Sequence, residues 1–230
     1  MRYAALRESV CRANLALASS GLVMGTFGNL SALSRADGVF AIKPSGVPYD
    51  RLTPASIVVV SLATGDPMEA GLRPSSDTPT HRELYRAFNC GAIVHTHSEY
   101  ATTFAQARLP IRCMGTTHAD HFRGDVPVTR PMRQDEVETD YERNTGLVIV
   151  ETLSGRVPSE VPAVLVANHG PFAWGETPDA AIENAVVLEY VARLEWRVRT
   201  MAPDAPHPDQ QLIDKHFLRK HGPNAYYGQP

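Results

Sequence analysis

Cysteine is scarce in this chain: three among 230 residues, at Cys11, Cys90 and Cys113. An odd and widely spaced set excludes a disulfide framework and a cysteine-rich zinc cluster, and it fits a reducing compartment. Long apolar runs are missing as well, so no segment reads as crossing a bilayer. The opening residues Met1-Arg2-Tyr3-Ala4-Ala5-Leu6-Arg7-Glu8 lack the apolar centre of a signal peptide. A cytoplasmic location is the expectation. There is no excess of one charge either. A net charge of −3 gives no electrostatic case for nucleic acid or an anionic membrane, so any phosphate site must be local. His-Glu-x-x-His is absent, which argues against a standard zinc peptidase. No internal repeat or low-complexity tract interrupts the chain.

What is there is ordinary globular composition, 43% hydrophobic and 20% charged. The length is enough for one domain spanning 1–230 with a full core. Leu6, Val10, Ala13 and Leu17 recur at helical spacing before Gly21. Strand composition follows at Asn29–Leu33, Val39–Lys43 and Ile57–Leu62, with turn residues at Thr64–Pro67. Ser76 or Asp77 can cap a helix reaching about Phe88, and a strand is expected over Ala92–His97. Further helices are expected over Ser98–Ala107, Gln134–Asn144, Pro178–Thr200 and Gln210–Lys220. Leu147–Thr152 and Val161–Asn168 have strand composition. Interspersed strands and helices make the class α/β or α+β.

The chemistry concentrates in a few segments. His95 and His97 are two apart near a strand end, where alternate side chains share a face. A third imidazole, His169, ends another apolar run. Three histidines with one coordination position open is the layout of a catalytic metal site. Lys43-Pro44-Ser45-Gly46-Val47 reads most simply as a tight turn, and otherwise as an anion cradle of N–H groups, hydroxyl and ammonium. Ser75-Ser76-Asp77-Thr78-Pro79-Thr80-His81 opens a helix, where serines serve as caps or bind phosphate. Asp77 is a candidate cap, metal ligand or acid/base. His118 and His121 could share a helix face and bind metal, but lining or supporting a polar pocket is the simpler account. In the tail, Tyr226 and Tyr227 read as packing aromatics, or as phenols able to move a proton.

Taken in order, seven segments resemble the class II aldolase/epimerase family, and within it most resemble the L-ribulose-5-phosphate 4-epimerase branch. They are Gly28–Ser31, Lys43–Val47, Ser75–His81, Val94–Ser98, Gly115–Asp120, His169–Gly175 and Ala225–Gln229. The resemblance implies an α/β fold of class II aldolase type, with a central, mainly antiparallel sheet flanked by helices. It implies a homotetramer with active sites between subunits, and a sugar-phosphate substrate epimerised at C4 by C3–C4 cleavage and re-formation. It carries zinc to His95, His97 and His169, with Mn2+ or Co2+ as substitutes, and places Asp77 beside the metal as a candidate fourth ligand. Asn29, Lys43, Ser45, Gly46, Ser75 and Ser76 match the phosphate-binding region. Asp120 and Tyr227 match the two acid/base residues, with Tyr227 given by a neighbouring subunit. Thr116, Glu142 and His216 match supporting positions.

Two positions depart from the family pattern: His121 stands where Tyr is expected, and Asn168 where Ser is familiar. A sugar-phosphate aldolase of the same family is the main rival. The aldolases usually carry Glu at the position of Asp77, in a different motif.

Overall fold

The computed structural model describes residues 2–227, so Gly228 and Gln229 of the tail motif lie outside the described residues. Six strands form one sheet: β1 (Asn29–Ser34), β2 (Val39–Ile42), β3 (Val58–Ser61), β4 (Ala92–His95), β5 (Ala163–Leu165) and β6 (Pro171–Gly175). Their order is β3-β2-β1-β4-β6-β5, and every neighbouring pair is antiparallel. The strands are short and apolar because both faces are covered, as β2 shows with all four residues buried.

One face carries Leu30, Ala32, Val39, Ala41, Val59, Val94 and Ala173. It packs with residues of α1 (Ala4–Ser19), α3 (Glu99–Ala107) and α7 (Pro178–Met201). The other carries Phe40, Ile42, Val60, Ile93, Phe172 and Trp174. It packs with Leu84 and Tyr85 of α2 (Thr78–Ala87) and Ile149 of α6 (Tyr141–Thr152). The short helices α4 (Thr116–Ala119) and α5 (Gln134–Glu138) lie in the 110–150 region, and α8 (Gln210–His221) packs on α4. Among the described residues no helix is long and apolar enough to cross a membrane.

Several expectations need correction. Leu147–Thr152, expected as a strand, is the second half of α6. Thr145, Val148 and Ile149 are buried at helical spacing, so packing overrides the β-propensity of a Val- and Ile-rich segment. The helix expected over Gln134–Asn144 breaks at Thr139 and Asp140 into α5 and α6. The strand expected through Asn168 stops at Leu165, and β6 begins two residues after His169. Asp77 sits at the N-cap of α2, but its side chain makes no cap hydrogen bond.

Sheet register builds the site. Asn29 pairs with His95, and His95 pairs with Phe172, so three side chains line up across the three central strands. Two glycines allow the flanking segments to close on this row. At Gly170 a Cβ would sit 2.8 Å from the Thr96 carbonyl oxygen. At Gly28, where φ is +77°, it would sit 2.9 Å from the His95 carbonyl oxygen. Both distances are below van der Waals contact, so any side chain would force backbone apart. Asn168 takes a φ of 63°, a left-handed conformation that asparagine tolerates better than most residues. The departure at position 168 is thus compatible with the turn that presents His169.

Candidate active site

The three sequence-identified histidines come together. His95 ends β4, His97 follows two residues later, and His169 occupies the β5–β6 turn. One ligand atom from each lies within 4.8 Å of the others. His97 is beyond the strand rather than in it, yet its Nε2 is 3.1 Å from that of His95. His95 Nδ1 donates to the Pro171 carbonyl oxygen at 2.9 Å, leaving Nε2 with its lone pair facing the cluster. The ring also stacks on Phe172, with centroids 4.2 Å apart. Burial, then the charges of His95 and His97, push the His169 imidazolium down to about 4, against an opposing pull from Asp77. Burial likewise lowers His97.

Burial thus favours the neutral form of His97 and His169, the form that metal ligation requires. Tetrahedral zinc with nitrogen at about 2.05 Å puts its ligands about 3.3 Å apart, close to the His95–His97 spacing. The donor set fits a divalent cation. Two lone pairs crowded at that distance also need a shared cation or proton to be stable.

Asp77 stands beside this group but is not part of the three-histidine set. Its Oδ2 accepts from Asn29 Nδ2 at 2.6 Å, and the same amide reaches Ser75 Oγ at 3.1 Å. Burial works to raise the Asp77 carboxyl. The rings of His95, His81 and His169 and the Asn29 hydrogen bond outweigh it and hold the group below the usual carboxylate range. Asn29 Oδ1 and His169 Nδ1 are buried here without a protein partner.

The two serine-bearing turns are joined by backbone pairing: Ser45 N–H donates to Arg73 and Ser75 N–H to Lys43, both at 3.0 Å. Ser45, Gly46 and Ser76 are not buried and Gly46 has a φ of 67°, so the turn is open as an anion cradle requires. Lys43 is different. It is 2% exposed, its Nζ lies near the Thr26 and Pro44 carbonyl oxygens, and it sits 4.7 Å from the centre of the Tyr49 ring. Burial lowers its pKa. The Tyr49 hydroxyl in turn is shared between the Phe27 and Gly28 carbonyl oxygens, tying the loop ahead of β1 to the turn at Tyr49–Arg51.

A second cluster forms around α8. Asp120 accepts from Arg219 at 3.0 and 2.8 Å and pairs with His216 Nδ1 at 3.0 Å. Burial works to raise this carboxyl, but the hydrogen bonds and charges of Arg219 and His216 win, and it is held low. The Arg219 guanidinium also lies 4.6 Å from the Tyr227 ring centre. Among the described residues, none of the hydrogen bonds or ring contacts of Asp120 and Tyr227 reaches the histidine cluster. Thr116 starts α4 and accepts the Asp120 backbone N–H at 2.9 Å. Glu142, in the first turn of α6, accepts the Thr80 hydroxyl through its carbonyl. His118 and His121 are separately engaged, with Gly124 and Lys220, and among the described residues neither joins the histidine cluster.

Sequence reading missed Arg219, Tyr141 and Phe27. Arg219 had a signal, since it follows His216 by three on a helix and shares its face. Tyr141, 6.2 Å from the His169 ring, and Phe27, 5.7 Å from His97, had none.

An antiparallel α/β sheet that gathers three histidines, beside two serine-bearing turns joined by backbone pairing, presents a donor set that could hold a divalent cation. The family described as Class II Aldolase and Adducin N-terminal domain matches residues 8–196, and the chain belongs to it. Such aldolases are typically dependent on a divalent metal, in keeping with the triad. Among solved structures, an L-fuculose 1-phosphate aldolase shares the fold, with a TM-score of 0.79 and 24% identity over 94% of this chain and 96% of that one. YgbL from Klebsiella pneumoniae, described as a putative aldolase/epimerase/decarboxylase, is 30% identical over 92% of this chain and 97% of that one, with a TM-score of 0.72. An L-fuculose-1-phosphate aldolase from Thermus thermophilus is 27% identical over 88% of this chain and 98% of that one, with a TM-score of 0.67.

Proposed function

We propose that this chain performs retro-aldol and aldol chemistry on a sugar phosphate, inverting C4 of L-ribulose 5-phosphate to give D-xylulose 5-phosphate. The observation that carries this reading is Asp77, an aspartate and not the aldolase-type glutamate, held by Asn29 beside the three histidines. The C4–H bond is not acidic, so inversion by simple deprotonation is excluded. Cleavage of C3–C4 avoids the difficulty. A base takes the proton of the C4 hydroxyl, C4 becomes an aldehyde, and the bonding pair passes to the C3 fragment. The aldehyde turns its other face, C3–C4 re-forms, and the C4 oxygen takes a proton from a second group.

His95, His97 and His169 hold the cation, zinc or in its place Mn2+ or Co2+, with Asp77 at their side. When bound, it supplies Lewis acidity that stabilises negative charge on substrate oxygens. Ser45, Gly46, Ser75, Ser76 and Asn29 hold the phosphate, so the aldehyde fragment stays in place while it rotates. Lys43 supports this cradle through its buried contacts. Asp120 and Tyr227 serve as the proton-moving pair. None of their contacts within one chain reaches the triad, which is compatible with the homotetramer that the family resemblance implies, with Tyr227 given by a neighbouring subunit.

A second reading is a lyase that releases its fragments, favoured by the likeness to the Thermus aldolase. Zinc-loaded protein given L-ribulose 5-phosphate separates the two. Xylulose phosphate without free glycolaldehyde phosphate supports the epimerase. Free aldehyde as the main product replaces it with the aldolase, and no turnover discards this substrate.

A further inference from the structure

Beneath the candidate metal site lies a polar chain that the proposed reaction does not use. Ser31 Oγ is 2.7 Å from His81 Nδ1 and 2.7 Å from the Tyr85 hydroxyl, and all three residues are fully buried. His81 Nε2 is buried with no protein partner. His81 stands four residues after Asp77, so the two side chains share a face at the start of α2. The charged or titratable groups whose fields act on the ring are Asp77 and His95. Phe172 closes the space, edge-on to His81 at 5.9 Å and stacked on His95 at 4.2 Å.

Burial pushes the His81 imidazolium down to about 3, so the ring carries one proton. With that proton on Nδ1, Ser31 would accept it and Nε2 would turn a lone pair toward a carboxylate. With it on Nε2, Tyr85 donates to Ser31, Ser31 donates to Nδ1, and an N–H faces the negative charge. The second arrangement uses every hydroxyl proton and opposes no like charges.

We infer that His81 is a positioning residue for Asp77: its Nε2–H faces the Asp77 carboxylate, and the Tyr85–Ser31 chain fixes the tautomer that does so. Asn29 holds the carboxylate by a hydrogen bond, and the His81 N–H dipole acts on it through space, which together bias its direction toward the histidine cluster. The inference rests on the metal reading of that cluster, and it predicts that a residue touching neither metal nor substrate controls metal affinity.

The test uses the full chain without substrate. Zinc affinity is measured by competition with a chromogenic chelator, and the His81 tautomer by NMR of protein carrying nitrogen-15 histidine. The expected tautomer is Nε2–H. His81→Phe should weaken zinc roughly 10- to 100-fold, the range for losing a partner of a ligand. His81→Gln, whose amide N–H can replace Nε2–H, should restore most of that loss. Wild-type zinc affinity in a folded His81→Phe protein, or a ring protonated on Nδ1, would overturn the inference. Should His81→Phe not fold, Ser31→Ala combined with Tyr85→Phe removes the directing chain without leaving a hydroxyl unpaired. Unchanged tautomer and affinity there would also overturn it. If the wild-type chain binds no zinc, the metal reading fails, and the tautomer measurement still decides the role of His81.

Discussion

Gly170 approaches Thr96 so closely that a methyl group at 170 would lie 2.8 Å from the Thr96 carbonyl oxygen. The obstacle is backbone, and the same methyl would lie 3.5 Å from His97 and 3.6 Å from His95. Gly170→Ala must therefore part the β5–β6 turn from the end of β4, and the histidines ride on both. Overpacking of this kind costs about 1–3 kcal/mol. In a chain of this size that lowers the melting temperature by roughly 2–12 °C. Zinc affinity should fall more than stability does, since ligand geometry is what the methyl displaces. A melting curve and a chelator competition on the same sample check this. Unchanged affinity would show that the approach is incidental to the metal site.

The salt bridge from Arg219 sets the charge of Asp120. The folded carboxyl is held below its ordinary value, so this group contributes stability above the unfolded carboxylate pKa, and the contribution is lost as pH falls through the folded value. Arg219→Met removes the guanidinium. Asp120 should then titrate at higher pH, moving the acid limb of stability and of turnover upward. The lost charged hydrogen bonds should also lower stability near neutral pH. Denaturant melts at several pH values check the shift. An unmoved acid limb would mean that His216 alone holds Asp120 ionised.

Much of this molecule was legible because local chemistry and tertiary structure agree. The apolar runs at Val39–Ile42 and Val58–Ser61 are strands buried on both faces, and the Leu6-to-Leu17 spacing is α1. The histidine triad was legible from position alone, since strand ends collect such residues. Leu147–Thr152 misled because its β-branched residues sit where α6 packs on α2, and composition cannot express that contact. The strand Pro171–Gly175 went unseen because proline and glycine bound it on either side. Asp77 could be read from the sequence as a helix cap, a metal ligand or an acid/base. Its carboxylate turns to Asn29, 48 residues away in sequence, a pairing that only the sheet register creates. Likewise Lys43 carries the charge of a phosphate ligand, but burial against Tyr49 is visible only in three dimensions.

His118 gives a separate handle on pH. Burial lowers its imidazolium to about 4 from 6.5, opposed by its hydrogen bond to the Gly124 carbonyl oxygen and by Asp125. Between those values the unfolded chain binds a proton that the folded chain refuses. Stability from this group is therefore complete above pH 6.5 and declines as pH falls toward 4. His118→Gln keeps an N–H for Gly124 but cannot titrate. In metal-free protein, the loss of stability from pH 6.5 to 5 should shrink by about 1.5 kcal/mol in the variant. His81 and His169 pull the same way, so the wild-type slope is flattened rather than removed. Equal slopes in the two proteins would place the His118 pKa near its ordinary value.

The two clusters can be tested against each other with one substitution in each. His97→Ala removes a ring nitrogen whose partner is 3.1 Å away, so zinc content and turnover should fall together. Tyr227→Phe removes only a hydroxyl from a half-exposed ring on Arg219, far in bonding terms from the triad. It should leave zinc content and the melting temperature unchanged while turnover falls by roughly 10²- to 10⁴-fold, the scale of a lost general acid or base. The contrast matters more than either number. If both variants lose metal, Tyr227 belongs to the metal site and the two-cluster arrangement is wrong. If Tyr227→Phe turns over normally, the proton it was assigned moves through another group, and Asp120 with His216 becomes the sole proton-moving unit of that cluster.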